Sequence, residues 1–117
     1  MKLVIFGSRG YPFEDQVREY VRTLDPDVEV LVGDADGVDF WVAVECARTG
    51  RDFQVYRARW DVYGKQAGVV RNDIMANEAD AGTGFWDGTS NGTRDMRDRL
   101  RARGKPVDMR LPQESLL

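Results

Sequence analysis

Short apolar runs alternate along this chain with longer stretches in which apolar residues recur at helical spacing. The runs predict five buried strands, and their alternation with helices is typical of a parallel sheet. The predicted strands cover residues 2–6, 28–32, 52–56, 80–86 and 106–111. Gly82 and Gly84 weaken the fourth of these patterns, because glycine brings no side chain to pack within a strand.

Four helices are predicted between these strands. The first opens at Pro12 with one apolar stripe, and Asp25-Pro26 ends it. The second, residues 38–48, is apolar nearly all round, which predicts that it is well buried.

A long aromatic connection containing Trp60 and Tyr63 leads to the third predicted helix. That helix covers residues 67–79 and is expected to turn Val70 and Ile74 inward. The fourth covers residues 92–103.

The alternation predicts one α/β domain with helices on both faces of a parallel sheet. Right-handed crossovers leave few topologies, and the expected one is an open, five-stranded Rossmann-like sheet of order 3-2-1-4-5. Residues 1–111 form this domain, and residues 112–117 are expected to be a loose tail.

Composition agrees with one globular domain: 117 residues, 42% apolar and 32% charged. No apolar run approaches membrane-spanning length, and the N-terminal run reads as a strand rather than a signal peptide. The single cysteine, Cys46, lies in an apolar helix and agrees with a reducing compartment. We therefore expect a cytoplasmic protein with no membrane partner.

The chain has no histidine. This excludes Ser-His-Asp and Cys-His catalysis and, with one cysteine, argues against a zinc site. We expect neither a metal nor a cofactor, so any chemistry must use carboxylates, arginine, lysine, hydroxyl groups or water.

The formal net charge of −3 is unevenly spread. Residues 94–105 carry six basic and two acidic residues, a net of +4, which leaves −7 for the rest. The interpretation we favour is a solvated helix face with Asp95–Arg99 and Asp98–Arg101 pairs. A nucleic-acid partner is the less favoured alternative.

Three loops rich in small residues follow strands 1, 2 and 4: residues 7–10, 33–39 and 88–93. Ligands of such sheets bind beyond the carboxyl ends of the strands, where the strand order reverses. That point lies between strands 1 and 4. One such loop could be turn chemistry alone, but three at corresponding positions predict a binding cleft.

The chemistry of these loops suits a phosphorylated ligand. Glycines allow close approach, hydroxyls can donate to phosphate oxygens, and the following helix offers unpaired N–H groups. Arg9 offers a bidentate fork, or alternatively a surface ion pair, and Trp86 could stack on a base or lie in the core. The candidate ligand-binding residues of the loops are Gly7, Ser8, Arg9, Gly33, Asp34, Gly37, Asp39, Trp86, Gly88, Ser90, Gly92 and Thr93.

The acids of the second loop have two interpretations. Asp39 is a helix N-terminal acid, or it accepts hydrogen bonds from ribose hydroxyls. Asp34 and Asp36 could do the same, or could hold the turn.

Four motifs in order resemble the YspA/cpYpsA-related branch of the SLOG superfamily, over residues 2 to 110. They are Gly7-Ser8-Arg9, Gly33-x-Ala35-x-Gly37-x-Asp39, Trp60-x-x-Tyr63-Gly64-Lys65-x-Ala67-Gly68 with Arg71-Asn72, and Phe85-Trp86-Asp87-Gly88-x-Ser90-x-Gly92-Thr93. The resemblance implies a Rossmann-like fold that binds nucleotides or nucleotide-derived molecules. It adds Arg71 and Asn72 to the candidate ligand-binding residues, and it implies a homodimer and a phage or defence context as further expectations.

The LOG enzymes of this superfamily release a base from a nucleoside 5′-monophosphate and carry Pro-Gly-Gly-x-Gly-Thr-x-x-Glu. Aligned on Gly92-Thr93, the glutamate position holds Met96, and Asp95 is rotated about 100° around the helix. The catalytic acid of that family is therefore missing, and Asp36 and Asp39 are the candidates that could replace it.

Three hypotheses remain open. The first is a nucleotide-binding module that acts as a sensor or sequestering protein. The second is a nucleotide N-glycosidase, which needs a carboxylate near the anomeric carbon. The third is an interaction protein with a vestigial cleft, which meets a partner or a second copy through the basic helix or the aromatic 60–63 segment.

Overall fold

The computed structural model describes residues 1–113. Its five strands are β1 (Lys2–Gly7), β2 (Glu29–Gly33), β3 (Phe53–Tyr56), β4 (Ala81–Phe85) and β5 (Val107–Arg110). All pair in parallel, in the order β3-β2-β1-β4-β5, so the predicted Rossmann-like α/β sheet is confirmed. β1 lies at the centre, with Leu3 in register with Val30 of β2 and Ala81 of β4.

The helices are α1 (Glu14–Thr23), α2 (Val38–Thr49), α3 (Trp60–Tyr63), α4 (Ala67–Glu78) and α5 (Asn91–Ala102), with a 3₁₀ turn at Gly64–Gln66. Helix α1 begins two residues after Pro12. The predicted aromatic connection contains α3 and the 3₁₀ turn. Of the expected tail, residues 114–117 lie outside the described part of the chain.

Two apolar layers cover the two faces of the sheet. Side chains alternate along β1, so Leu3 and Ile5 face the α1–α2 layer while Val4 and Phe6 face the α4–α5 layer. β4 is buried along its whole length, and its glycines serve packing. A Cβ on Gly82 would clash with Cδ1 of Leu100, so the absence of a side chain lets Leu100 of α5 pack directly on β4.

The inward face of α4 differs from the prediction. Ile74 is exposed and Val70 is half-buried, whereas Met75 and Ala76 are buried against the sheet. The stripe that packs is therefore 72, 75, 76 and 79, which also has helical spacing.

The prediction that α2 is well buried holds for one side of the helix only. Phe40 is exposed, while two acids of the same helix, Asp39 and Glu45, are buried. The apolar Cys46 does lie in the core, as expected, and burial raises the pKa of its thiol to about 11.

Candidate functional site

The loop after β1 is tied to the loop after β4 and to the start of α5. The Ser8 N–H donates to the Phe85 carbonyl at 2.9 Å, and the Ser8 hydroxyl accepts from the N–H of Asp87 at 3.1 Å. The same hydroxyl lies 3.2 Å from the Thr93 hydroxyl. Ser8 is buried, so it joins these elements and does not face a ligand.

The loop after β2 packs on the loop after β1. Gly37 adopts a φ of +76°, and a Cβ there would lie 2.7 Å from the Arg9 carbonyl oxygen. Glycine is required at this position for both reasons. The first two of the three predicted loops are therefore in direct contact.

A cleft of about 400 Å³ opens at the carboxyl ends of β1, β2 and β4, where the strand order reverses. Nine of the predicted ligand-binding residues line it: Gly7, Arg9, Asp34, Asp39, Arg71, Asn72, Ser90, Gly92 and Thr93. The cleft therefore occupies the place that the topology predicts for a ligand.

Asp39 forms a buried acidic wall of the cleft. It is 5% exposed, and its Oδ2 accepts a hydrogen bond from the N–H of Ala35 at 3.2 Å. Burial raises the pKa of Asp39 to about 6, although the nearby Arg71 charge and the Ala35 hydrogen bond both favour ionisation. Asp39 can therefore hold or release a proton near neutral pH.

Gly33 makes the room for this carboxylate. A Cβ on Gly33 would lie 2.6 Å from Oδ2 of Asp39 and 2.9 Å from Nη1 of Arg71. Both side chains thus occupy the space that any other residue at position 33 would fill, so Gly33 supports the wall of the cleft from behind and does not line it.

Arg71 reaches across the cleft from α4. Its Nη1 donates to Oδ1 of Asp34 at 2.7 Å, and the same oxygen accepts from the N–H of Ala58 at 3.3 Å. Within residues 1–113, the buried Nε of Arg71 has no hydrogen-bond partner. The guanidinium is therefore only partly satisfied by the protein.

The first turn of α5 forms another wall. Ser90 is the N-cap, and its Oγ accepts from the N–H of Thr93 at 3.4 Å. Asp87 folds the preceding loop by accepting from the N–H groups of Thr89 and Ser90 at 2.9 and 2.8 Å, and these bonds hold its pKa below the usual range. The N–H of Gly92 has no intrahelical acceptor, because it belongs to the first turn.

Asn72 lines the cleft but turns its amide towards α5. Its Nδ2 donates to Oδ2 of Asp95 at 3.1 Å and lies 3.4 Å from the Gly92 carbonyl oxygen. Asn72 therefore positions the start of α5 relative to α4.

Other predicted site residues do not line the cleft. Ser8, Gly33 and Gly37 support it from behind, as described above. Gly88, with a φ of +90°, belongs to the turn that Asp87 holds. Asp36 is exposed and does not line the cleft. Of the two carboxylates considered for catalysis, Asp39 is therefore the one that lies in the cleft.

Trp86 lies outside the cleft. Its Nε1 donates to the Ser90 carbonyl at 3.1 Å, and the Arg94 and Arg97 guanidinium carbons lie 5.6 and 5.1 Å from its ring centre. Trp86 therefore supports the loop before α5 and is occupied by these cations.

Residues that the sequence reasoning did not select complete the lining: Phe6, Gly10, Ala35, Trp60, Gly68, Met75 and Asp87. Trp60 and Gly68 stand in one of the four motifs, which was the available signal for them. Phe6 and Met75 were hidden among core positions, because periodicity does not distinguish the end of a core from the floor of a cleft.

The glutamate position of the LOG enzymes cannot supply an acid here. Met96 is buried in the core of the α4–α5 layer. The Asp95 carboxylate is held by Arg99 at 2.9 Å and by Asn72. A carboxylate for chemistry in this cleft therefore has to come from elsewhere.

The basic charge of α5 is largely used within the protein. Arg99 pairs with Asp95 as predicted and also with Asp73, which Arg103 contacts as well. Asp98 pairs with Arg97, not with the predicted Arg101. The ion pairs of Arg99 and Arg103 with Asp73 join α5 and the turn after it to α4.

A larger hollow of about 880 Å³ lies between α1 and β5. Tyr11, Tyr20, Phe85 and Arg110 are among its walls, and none of the predicted site residues lines it. It is a groove beside the α1 side of the sheet, away from the loops where α/β sheets bind ligands.

No family model and no curated protein matches the chain. Among solved structures, the chain is similar to the X-ray structure of DNA processing protein A (DprA) from Streptococcus pneumoniae, with a TM-score of 0.79 and 16% identity. The match covers 98% of this chain and 51% of that one, so this chain spans about half the length of the neighbour. The likeness shows the fold.

Within residues 1–113, no helix has both the length and the apolar character that crossing a bilayer requires.

Proposed function

We propose that this chain binds a nucleoside monophosphate or a related ribose phosphate in the cleft, as a sensor or a sequestering module. One observation carries the proposal: where the strand order reverses, the cleft brings together Arg9, which has no ion pair within residues 1–113, the first turn of α5 and the buried carboxylate of Asp39. Phosphate suits the first two groups, and ribose hydroxyls suit the third.

The phosphate is assigned to Arg9 and the start of α5. Within the described residues, the Arg9 side chain has no hydrogen bond or ion pair, and it is exposed beside the cleft. Arg9 follows Ser8, whose hydroxyl lies 3.2 Å from that of Thr93 in the first turn of α5. The guanidinium and the helix N-terminus can therefore act on one anion.

The charge of the lining favours a small anion. Two arginines, Arg9 and Arg71, face three carboxylates, Asp34, Asp39 and Asp87. Asp34 already pairs with Arg71. A polyphosphate would meet too little positive charge, whereas a single phosphate adds less repulsion and its ribose hydroxyls can donate to the carboxylates.

The test is thermal unfolding against nucleoside monophosphates, ribose 5-phosphate, ADP-ribose, cyclic ADP-ribose and NAD. A ligand at 100 times its Kd adds about 2.7 kcal/mol, which raises the midpoint by roughly 10 °C in a domain of this size. Arg9→Ala should lose the shift, and Arg101→Ala is the control, because Arg101 is exposed on α5 and outside the lining. The absence of a shift with every compound would overturn the proposal and favour an interaction protein.

A second candidate is hydrolysis of the N-glycosidic bond, in which water enters and base plus ribose 5-phosphate leave. Asp39 favours it, because a cleft carboxyl with a pKa of about 6 can act as a general acid or base near neutral pH. Base release by the native chain, lost in Asp39→Asn with binding retained, is the expected result. No base release from any nucleoside monophosphate would leave binding alone.

The finer assignments from the sequence accompany this proposal. The order of the four motifs supports membership of the YspA/cpYpsA-related branch. The single cysteine agrees with a reducing compartment, which supports a cytoplasmic location. Self-association through the exposed Trp60, Val62 and Tyr63 stays a prediction, to be checked by sedimentation.

A further inference from the structure

One face of helix α4 lines the cleft over much of the length of the helix. Gly68, Arg71, Asn72 and Met75 all line the cleft, at the spacing of one helical face. Trp60 of α3 stands beside the first of them, since a Cβ on Gly68 would lie 3.9 Å from its ring. Because Gly68 and Arg71 are three residues apart on α4, the indole lies about one helical turn from Arg71, roughly 5 Å along the helix axis.

The Trp60 side chain neither packs in the core nor supports a loop. It is 58% exposed, and its Nε1 has no hydrogen-bond partner within residues 1–113. Trp86, by contrast, donates to Ser90 and carries two arginines. An exposed indole at the lip of a polar cleft leaves a free aromatic face beside the ligand space.

The backbone beneath Trp60 is held in place. The N–H groups of Val62 and Tyr63 donate to the Arg59 carbonyl at 3.0 and 2.9 Å. The buried Ala58, two residues before the indole, donates to Oδ1 of Asp34, the oxygen that also accepts from Arg71. One carboxylate oxygen thus ties the segment of Trp60 to the arginine of the cleft, which preorganises the two relative to each other.

We propose that Trp60 is the stacking surface for a planar base, so that the ligand is a nucleotide with its base attached and not a bare sugar phosphate. This rests on the function proposed above and names the ligand class of that site. Stacking on an indole tolerates any base, and purines gain more than pyrimidines because they cover more of the ring.

The experiment is calorimetric titration of AMP, UMP and ribose 5-phosphate into four proteins: native, Trp60→Ala, Trp60→Phe and Tyr63→Ala. Tyr63 is the matched control, because it is an exposed aromatic residue of the same helix that does not line the cleft. Trp60→Ala should weaken AMP binding by roughly 5- to 100-fold. It should leave ribose 5-phosphate binding within twofold, while Trp60→Phe keeps most of the AMP affinity and Tyr63→Ala keeps all of it.

The outcomes separate the two proposals. If the native protein binds neither AMP nor ribose 5-phosphate, the proposed function fails and the stacking role falls with it. If AMP binds but Trp60→Ala leaves its Kd unchanged, or if both ligands bind the native protein equally, the cleft stands and the stacking role is overturned. Quenching of tryptophan emission by AMP that is lost in Trp60→Phe supports the stacking role, and quenching retained in that variant contradicts it.

Discussion

Helix α2 buries two carboxylates, and the protein treats them in opposite ways. Glu45 faces α1, where Arg22 contacts it at 2.8 Å, and Arg48 of α2 itself contacts it at 3.1 Å. Asp39, six residues earlier, faces the cleft, and its hydrogen-bond donor there is the N–H of Ala35. Hydrogen bonding to Arg48 lowers the pKa of Glu45, whereas burial raises the pKa of Asp39 to about 6.

The difference separates a carboxylate that joins two helices from one that is available for a ligand. A buried charge that the protein satisfies fully has a structural role, and its proton is lost well below neutral pH. A buried carboxyl that lacks an ion pair within the described residues has its titration moved towards neutral pH, which is characteristic of functional sites. The arginine closest to Asp39 is instead paired with Asp34.

The largest expected effect is that of Asp39→Asn on the pH dependence of stability. Between about pH 4 and pH 6 the native state holds a proton on Asp39 that the unfolded chain has released, so the free energy of unfolding falls as pH rises. Asparagine does not titrate, so the substitution removes this dependence of the free energy of unfolding on pH. The variant should gain about 3 kcal/mol over the native protein between pH 4 and pH 7.5, measured by urea unfolding. A difference in the free energy of unfolding between the variant and the native protein that does not change with pH would contradict the raised pKa of Asp39.

Gly33→Ala should disturb the Asp39 side of α2 by forcing a methyl group against Oδ2 of Asp39 and Nη1 of Arg71. Overpacking of this kind costs about 1–3 kcal/mol in thermal or urea unfolding. The matched control is Gly10→Ala, where the nearest atom would be 3.7 Å away and stability should be nearly unchanged. Equal losses in the two variants would show that the room at Gly33 is unimportant.

Glu45→Gln should lower the free energy of unfolding at neutral pH, by less than the effect at Asp39. Arg22 and Arg48 are 40% and 64% exposed, so both can turn to water when their partner loses its charge. Because the pKa of Glu45 is lowered in the fold, its contribution is present above its unfolded pKa and is lost in acid. The two variants should therefore differ from the native protein in opposite directions at pH 7.5, and both differences should shrink as the pH falls through about 4.

Gly92→Ala should have the smallest effect on stability and a clear effect on binding. A Cβ there would meet no atom within 4 Å, so the free energy of unfolding should change by no more than about 0.5 kcal/mol. If phosphate approaches the first turn of α5, the methyl group takes its space and the thermal shift with nucleotide falls. A full shift in this variant would place the phosphate elsewhere in the cleft.

The resemblance to a nucleotide-binding family rests on four motifs, and the structure explains why Gly37 and Ser8 stand in them. Gly37 belongs to the second motif because it meets the backbone of Arg9 from the first. Ser8 belongs to the first because its hydroxyl reaches Asp87 and Thr93 of the fourth. These contacts support the loops, so the motifs record how the cleft is held as well as what lines it.

The sequence by itself determined the strands, their order and the edge at which the cleft opens. Apolar runs predict buried strands, alternation with helices predicts that they are parallel, and right-handed crossovers leave few orders, of which 3-2-1-4-5 was the expected one. Only the tertiary structure decided which sides of α2 and α4 face inward, and which tryptophan stands at the cleft. Those outcomes depend on contacts between separate elements, such as Trp60 of α3 beside Gly68 of α4 and the hydrogen bond from the Ala58 N–H to Asp34. Periodicity within one helix reports what that helix can bury, and the elements packed against it decide what it does bury.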